Sequence, residues 1–129
     1  MQEPNAEVER IASMVLDAAF DVHRTLGPAF KESIYEAALA IEMSRRGLIP
    51  NRQHPVQVLY RGHPVGEGRI DLFPNQVVVV ELKVGVWNAP RTAAQVRSYL
   101  AATRAPLGFG LNFSQPTLKE AMTRVVLSG

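Results

Sequence analysis

Asp71, Glu81 and Lys83 are the residues of this chain whose types and spacing could do chemistry. They lie in RIDLFPNQVVVVELK, residues 69–83, where four consecutive valines lead straight into Glu81-Leu82-Lys83. Residues two apart on a strand face the same side, so Glu81 and Lys83 point together and Leu82 points into the other layer. A hairpin centred near Asn75 and Gln76, with an odd number of loop residues, sets Asp71 opposite or diagonal to Glu81 on that face. Two carboxylates and one ammonium then converge at one end of a sheet. Converging carboxylates raise each other's pKa unless a cation joins them. A hard divalent ion such as Mg²⁺ prefers carboxylate and carbonyl oxygens and keeps several waters. A water bound there could become a nucleophile, with Lys83 orienting it or neutralising charge that develops on a phosphate. The plainer reading is a surface pair of Glu81 and Lys83, with Arg69 neutralising Asp71. Pattern alone leaves both open.

These residues need a scaffold, and the periodicity supplies one. Residues 1–5 read as a flexible N-terminus, and residues 6–129 as a single domain. From Ala6 to about Thr25 the apolar positions recur at three and four, as on an amphipathic helix. Leu26-Gly27-Pro28 breaks it. A second helix is expected from about Lys31 to Arg46, with Gly47 after its end. Strands follow around Val56–Tyr60, Val65–Phe73 and Gln76–Val84, the last central and covered on both faces. Pro90 opens a helix that runs to about Arg104. Leu107–Phe113 is a fourth strand in which Gly108 and Gly110 permit close approach, and Thr117–Leu127 reads as a last helix. The order ααβββαβα describes one α/β domain with a mixed four-stranded sheet flanked by helices.

The bulk properties agree with a packed domain. The chain has 129 residues, 47% hydrophobic and 20% charged, with no cysteine, so a disulfide scaffold and thiolate metal sites are excluded. There is no apolar run long enough to span a membrane and no signal-peptide pattern at Met1; the expectation is a soluble cytoplasmic protein. Net charge is +2, and eleven of fourteen cations are arginine, a composition suited to phosphate contacts. Arg45 and Arg46, or Arg91, Arg97 and Arg104, could form a phosphate-facing surface, against the plain alternative of a solvated face.

Other reactive types lack a pattern. His23, His54 and His63 show no ligand spacing, and His23 reads as a packing residue. Ser33 and Ser98 have no paired histidine. Tyr35 reads as core. Glu32 and Glu36 are an i, i+4 acidic pair on the second helix, one of them expected to be solvated. Trp87 sits in a loop that could cover the site or pack at an interface.

The stretches VHRTLGP (22–28), ESIYEAAL (32–39), GRIDL (68–72), VVELK (79–83), QVRSYL (95–100) and LNF (111–113), in that order, resemble the GxxExxY family of the PD-(D/E)xK nuclease superfamily. The resemblance implies a restriction-endonuclease-like core and Mg²⁺- or Mn²⁺-dependent hydrolysis of DNA. It implies Asp71, Glu81 and the Leu82 carbonyl as metal ligands and Lys83 as the catalytic lysine. Gln95 and Tyr99 match a Q-x-x-x-Y element that steadies the site or touches DNA; their spacing puts both on one helix face. Glu32 matches the family's glutamate, a further acid for the site. The chain departs at Ala29, where the family has glycine, and at Ile70, where the superfamily has proline before the aspartate. Since a fold does not fix a function, the alternative is a non-enzymatic interaction module. It would be a self-associating homo-oligomer using the first helix and an exposed sheet edge.

Overall fold

A computed structural model describes residues 4–127. Its elements in chain order are α1 (Ala6–Leu26), α2 (Glu32–Arg45), β1 (Arg52–Tyr60), β2 (His63–Leu72), a short 3-10 turn (Pro74–Gln76), β3 (Val78–Lys83), α3 (Ala89–Thr103), β4 (Leu107–Asn112) and β5 (Met122–Val126). The strands form one mixed sheet in the order β1-β2-β3-β4-β5. Only β3 and β4 run parallel, and α3 is the crossover between them.

The sheet therefore has five strands, not four, and the expected last helix over 117–127 is a turn followed by β5. Leu118, Ala121, Met122 and Val125 have helical spacing, but Thr123, Val125 and Val126 are β-branched and suit a pleated surface. Pairing settles it: Leu107 to Leu111 of β4 find antiparallel partners in Val126 to Met122. Without them the fully buried β4 would leave a row of backbone groups unpaired.

Two apolar layers sandwich the sheet. On one face, Val8, Ile11, Val15, Ala18, Ala19 and Val22 of α1, with Tyr35, Leu39 and Met43 of α2, meet Leu72, Val78, Val80 and Leu82. On the other, Val96 and Leu100 of α3 meet Val56, Ile70 and Val79. The apolar stripe of α1 is thus spent in the core rather than offered to a partner. Asn5 caps this helix, its Oδ1 accepting from the Val8 amide at 2.9 Å. The expected loose N-terminus otherwise falls on residues 1–3, outside the described residues.

The link between α1 and α2 is pinned by Tyr35, which is buried and stacked on Phe113 with ring centroids 4.8 Å apart. Its hydroxyl donates to the Gly27 carbonyl and accepts from the Phe30 amide. The left-handed residue in this link is Gly27 (φ 75°). Ala29 is not among the positive-φ residues, so alanine fits there without strain. The second helix, α2, begins at Glu32 with Lys31 as its N-cap.

The layer containing α3 lies unusually close to the sheet. A Cβ added at Gly110 would come 2.2 Å from Thr92 Cγ2, and one at Gly108 would come 2.6 Å from Val96 Cγ1. These two glycines set the height of α3 above β4. Gly110→Ala must push the helix away and is expected to lower stability by about 1–3 kcal/mol, as overpacking does. Gly66→Ala, where no atom lies within 4 Å of the new methyl, is expected to stay within about 0.5 kcal/mol of wild type. Urea denaturation of the two variants checks this; equal losses would contradict the close helix–sheet contact.

Candidate active site

The valine strand does what its composition dictates. Val78, Val79, Val80 and Leu82 are completely buried. Val78, Val80 and Leu82 join the α1–α2 layer and Val79 the α3 layer, so Glu81 and Lys83 share the α3 side, as the two-residue period requires. Glu81 is 2% exposed. It is not half of a surface pair.

Leu72 pairs with Val80 in the antiparallel β2–β3 ladder, which places Asp71 beside Glu81. There the ladder hands over to side chains. The Asp71 amide donates to Glu81 Oε1 at 3.2 Å, and the Leu82 amide donates to Asp71 Oδ2 at 2.9 Å. Each carboxylate thus takes up a backbone donor at the point where the strands part. The alternation of β2 breaks at the same place: Ile70 packs in the α3 layer and Leu72 in the α1–α2 layer.

The neighbouring strand is also irregular here. Gln53 of β1 has a positive φ of 50°, a conformation non-glycine residues seldom adopt and one that concentrates at functional sites. Its Nε2 donates to Asp71 Oδ1 at 3.2 Å and to Glu36 Oε1 at 2.5 Å. Glu36 is buried and its other oxygen receives Arg52 Nε at 3.1 Å. Of the α2 pair, Glu36 is taken up inside and Glu32 is half-buried. Neither Gln53 nor the Arg52–Glu36 pair was signalled by sequence, since the contact depends on the backbone kink at Gln53.

Glu32 lies close enough to Asp71, Lys83 and Glu36 to feel all three charges. Burial first, then Asp71, raises its pKa, while Lys83 opposes. Burial also raises Asp71, against the amide of Leu82 and the amide side chain of Gln53. Glu81 is pushed up from 4.5 to about 8, by burial foremost and by the charge of Asp71 next. Arg69 does not neutralise Asp71: it pairs with Glu67 at 3.1 Å and donates to the Gln53 carbonyl.

Glu81 and Asp71 also lie close enough for their carboxyl groups to share a hydrogen bond. Every fully enclosed side-chain oxygen or nitrogen among the described residues has a partner. Among the described residues no three His, Asp or Glu side chains form a metal cage. The available donor set is two carboxylates with backbone and water oxygens, a set that fits a magnesium-type ion rather than zinc.

Lys83 is half-buried, and its ammonium makes no hydrogen bond or ion pair among the described residues. It opens onto a cavity of about 400 Å³ lined by Asn88, Arg91, Thr92 and Gln95 and walled by Val84 and Val86. Gln95 thus stands beside Lys83. Tyr99, one turn further along α3, lies over β2 instead: its ring would be 2.9 Å from a Cβ at Gly68. The loop that carries the cavity's rim is fastened by LNF. Buried Asn112 donates to the Gly85 carbonyl at 3.2 Å, and Ser114 and Gln115 donate to the same oxygen. Trp87 turns to a second cavity bounded by residues 115–117, 120 and 121.

The remaining candidates stand apart. His23 Nε2 is 2.9 Å from the Gln115 carbonyl and its ring leans on Phe113. Arg46 pairs with Asp21 and Glu42, and Arg45 with Glu42, so this arginine pair is engaged within the fold. Arg97 and Arg104 are exposed on α3 and beyond its end, and of the three arginines in this region Arg91 is the one that lines the cavity.

The sequence profile of the PD-(D/E)XK nuclease superfamily matches residues 9–125, nearly the whole chain and every candidate site residue. The chain belongs to this superfamily. No curated protein and no solved structure is detectably similar to it. Among the described residues no helix is long and apolar enough to cross a membrane.

The raised carboxyls have a measurable consequence. A carboxyl with a higher pKa folded than unfolded holds more protons in the native state over the interval between the two values, so stability falls as pH rises through it. For Glu81 that interval runs from 4.5 to about 8. Chelator-treated protein is expected to lose up to a few kcal/mol between these limits. Glu81→Gln removes most of that loss and is the more stable protein above pH 8. Thermal melts across pH check this; identical slopes for the two proteins would contradict the burial of Glu81 as an unneutralised acid.

Proposed function

We propose that this protein is a divalent-metal-dependent nuclease that hydrolyses phosphodiester bonds of DNA, of the GxxExxY branch of its superfamily. The observation that carries the reading is the crossed arrangement of Asp71 and Glu81 beside Lys83. Two acids are held together at a strand end, each accepting a hydrogen bond from a backbone amide of the other's strand.

In this reading Asp71, Glu81 and the Leu82 carbonyl hold Mg²⁺ or Mn²⁺. The chemistry such an ion supplies is a water activated for attack and a neutralised phosphate oxygen. The chain's own residues do the rest. The Leu82 and Asp71 amides fix the two carboxylates in place, so little reorganisation is needed when the ion arrives. Lys83 brings its ammonium to the phosphate and stabilises charge developing there. Glu32, whose pKa is raised, takes or returns a proton at the edge of the site. Gln95 sits at the Lys83 side of the cleft and orients the strand. Tyr99, over Gly68, supports α3 rather than touching the reacting atoms.

The test is cleavage of supercoiled plasmid and linear duplex with Mg²⁺ or Mn²⁺ against chelator. Wild type is expected to cut only with the ion. Asp71→Ala, Glu81→Ala and Lys83→Ala each should lower the rate by at least about a hundredfold, the scale of losing one transition-state stabilising group. Tyr99→Phe should cut close to the wild-type rate. Variants that cut as fast as wild type would sink the reading.

A further inference from the structure

The second helix is apolar on two opposite sides. Its inner side, with Tyr35, Leu39 and Met43, lies in the core. Half a turn away, Ile34, Ala37, Ala38 and Ile41 recur at three and four and form one stripe. This stripe faces away from the sheet: Ile34 is 36% exposed and Ile41 62%. A single exposed aliphatic side chain is ordinary. A helix with apolar residues all round is the pattern of one covered on both sides. Beside the stripe a small groove of about 160 Å³ runs between α1 and α2, with Val22, Leu26, Ala38 and Ile41 in its lining.

The stripe also says what covers it. It reads the same from either end: a large residue, two small ones, a large one. Its midpoint falls between Ala37 and Ala38. A two-fold interface uses one patch on both subunits, so that patch must complement itself. Two copies of α2 laid antiparallel about this midpoint bring Ile34 against the partner's Ile41, and Ile41 against the partner's Ile34. The alanines at the crossing let the two helices approach to about 8 Å. On the α1 side of the stripe, Lys31 then comes to the partner's Glu42. This accounts for a residue that is otherwise misplaced. Lys31 is exposed at the N-cap, and its side chain makes no capping hydrogen bond. A cation is unfavourable at this positive end of a helix, and a carboxylate from a second copy offsets it.

We propose that the chain forms a two-fold homodimer in which α2 packs antiparallel on α2 of a second copy, through Ile34, Ala37, Ala38 and Ile41. The proposal does not rest on the nuclease reading. The stripe lies on the side of α2 opposite the core, so the contact leaves Asp71, Glu81 and Lys83 untouched. The exposed edge strand β1 is a poorer self-pairing surface, because Pro55 removes one backbone donor from it.

Sedimentation velocity of the full chain over a micromolar concentration series tests this. Wild type is expected to shift from monomer to dimer mass as concentration rises. Ile41→Glu should raise the dissociation constant about a hundredfold or more, since each dimer loses two central apolar contacts. Ile41→Leu should dimerise like wild type. Val65→Glu, at an equally exposed apolar position on β2, should also dimerise like wild type. Circular-dichroism melts of the Glu variants are expected to match wild type, because both positions are exposed. Cysteine pairing reads the register, since the natural chain has no cysteine. Ile34→Cys and Ile41→Cys proteins, mixed and oxidised, should form the mixed disulfide dimer. Each alone should not, because its two copies lie about 10 Å apart along the helices, beyond disulfide reach. A wild type that stays monomeric throughout overturns the proposal, as does an assembly that Ile41→Glu leaves intact. Dissociation by Val65→Glu and not by Ile41→Glu moves the contact to the β1–β2 ribbon and also overturns it. Either single-cysteine protein cross-linking alone as fast as the mixture overturns the antiparallel pairing.

Discussion

The exchange of hydrogen bonds between Asp71 and Glu81 is the interaction on which this site depends. In an uninterrupted antiparallel ladder the amides of Asp71 and Leu82 would be satisfied by backbone. Here they are satisfied by two carboxylates, from Glu81 and Asp71 respectively. That substitution keeps buried donors paired while the strands part. It also forces two acids into one small, desolvated space: burial raises the pKa of both, and the charge of Asp71 raises Glu81 further. The opposing costs are large: burial disfavours either charge, and the charge of Asp71 disfavours that of Glu81. A site of this kind is stable in the ionised form only with a cation, so the geometry and the electrostatics point the same way.

The rest of the fold holds that exchange in place. On one side Gln53, in a left-handed conformation, ties Asp71 to Glu36 and hence to α2. Glu36 is in turn neutralised by Arg52. On the other side, Gly108 and Gly110 let α3 settle low on the sheet, which brings Thr92 and Gln95 beside Lys83. The Gly85 carbonyl, gripped by Asn112, Ser114 and Gln115, fixes the loop between them. Two apolar layers, rather than surface ion pairs, carry the stability that such a strained centre requires.

Much of this was legible in the sequence where the signal is local. The two-residue period of a strand is enough to put Glu81 and Lys83 on one side and Leu82 on the other. A short turn is enough to bring Asp71 back beside them. Glu32 and Gln95 came from the family resemblance and do lie at the site's edges, whereas Tyr99 sits further off over β2. What sequence did not carry depends on tertiary pairing. Residues 117–127 have helical spacing, yet the need of buried β4 for a partner strand made 122–126 a strand. Glu36 and Gln53 entered the site through a backbone kink that no residue preference announces, because glutamine is not a left-handed former. The LNF stretch could be read only as a motif until Asn112 was found clasping Gly85.

The central claim is that Asp71 and Glu81 form a divalent-cation site. The most direct measurement is isothermal titration of Mn²⁺ into chelator-treated wild type and the Asp71→Ala/Glu81→Ala double variant, at a pH above 8 where both acids can ionise. The account predicts binding by wild type, with protons released as the carboxyls give them up, and no binding by the double variant. A folded wild type that binds no ion, or a double variant that binds as well as wild type, would contradict it.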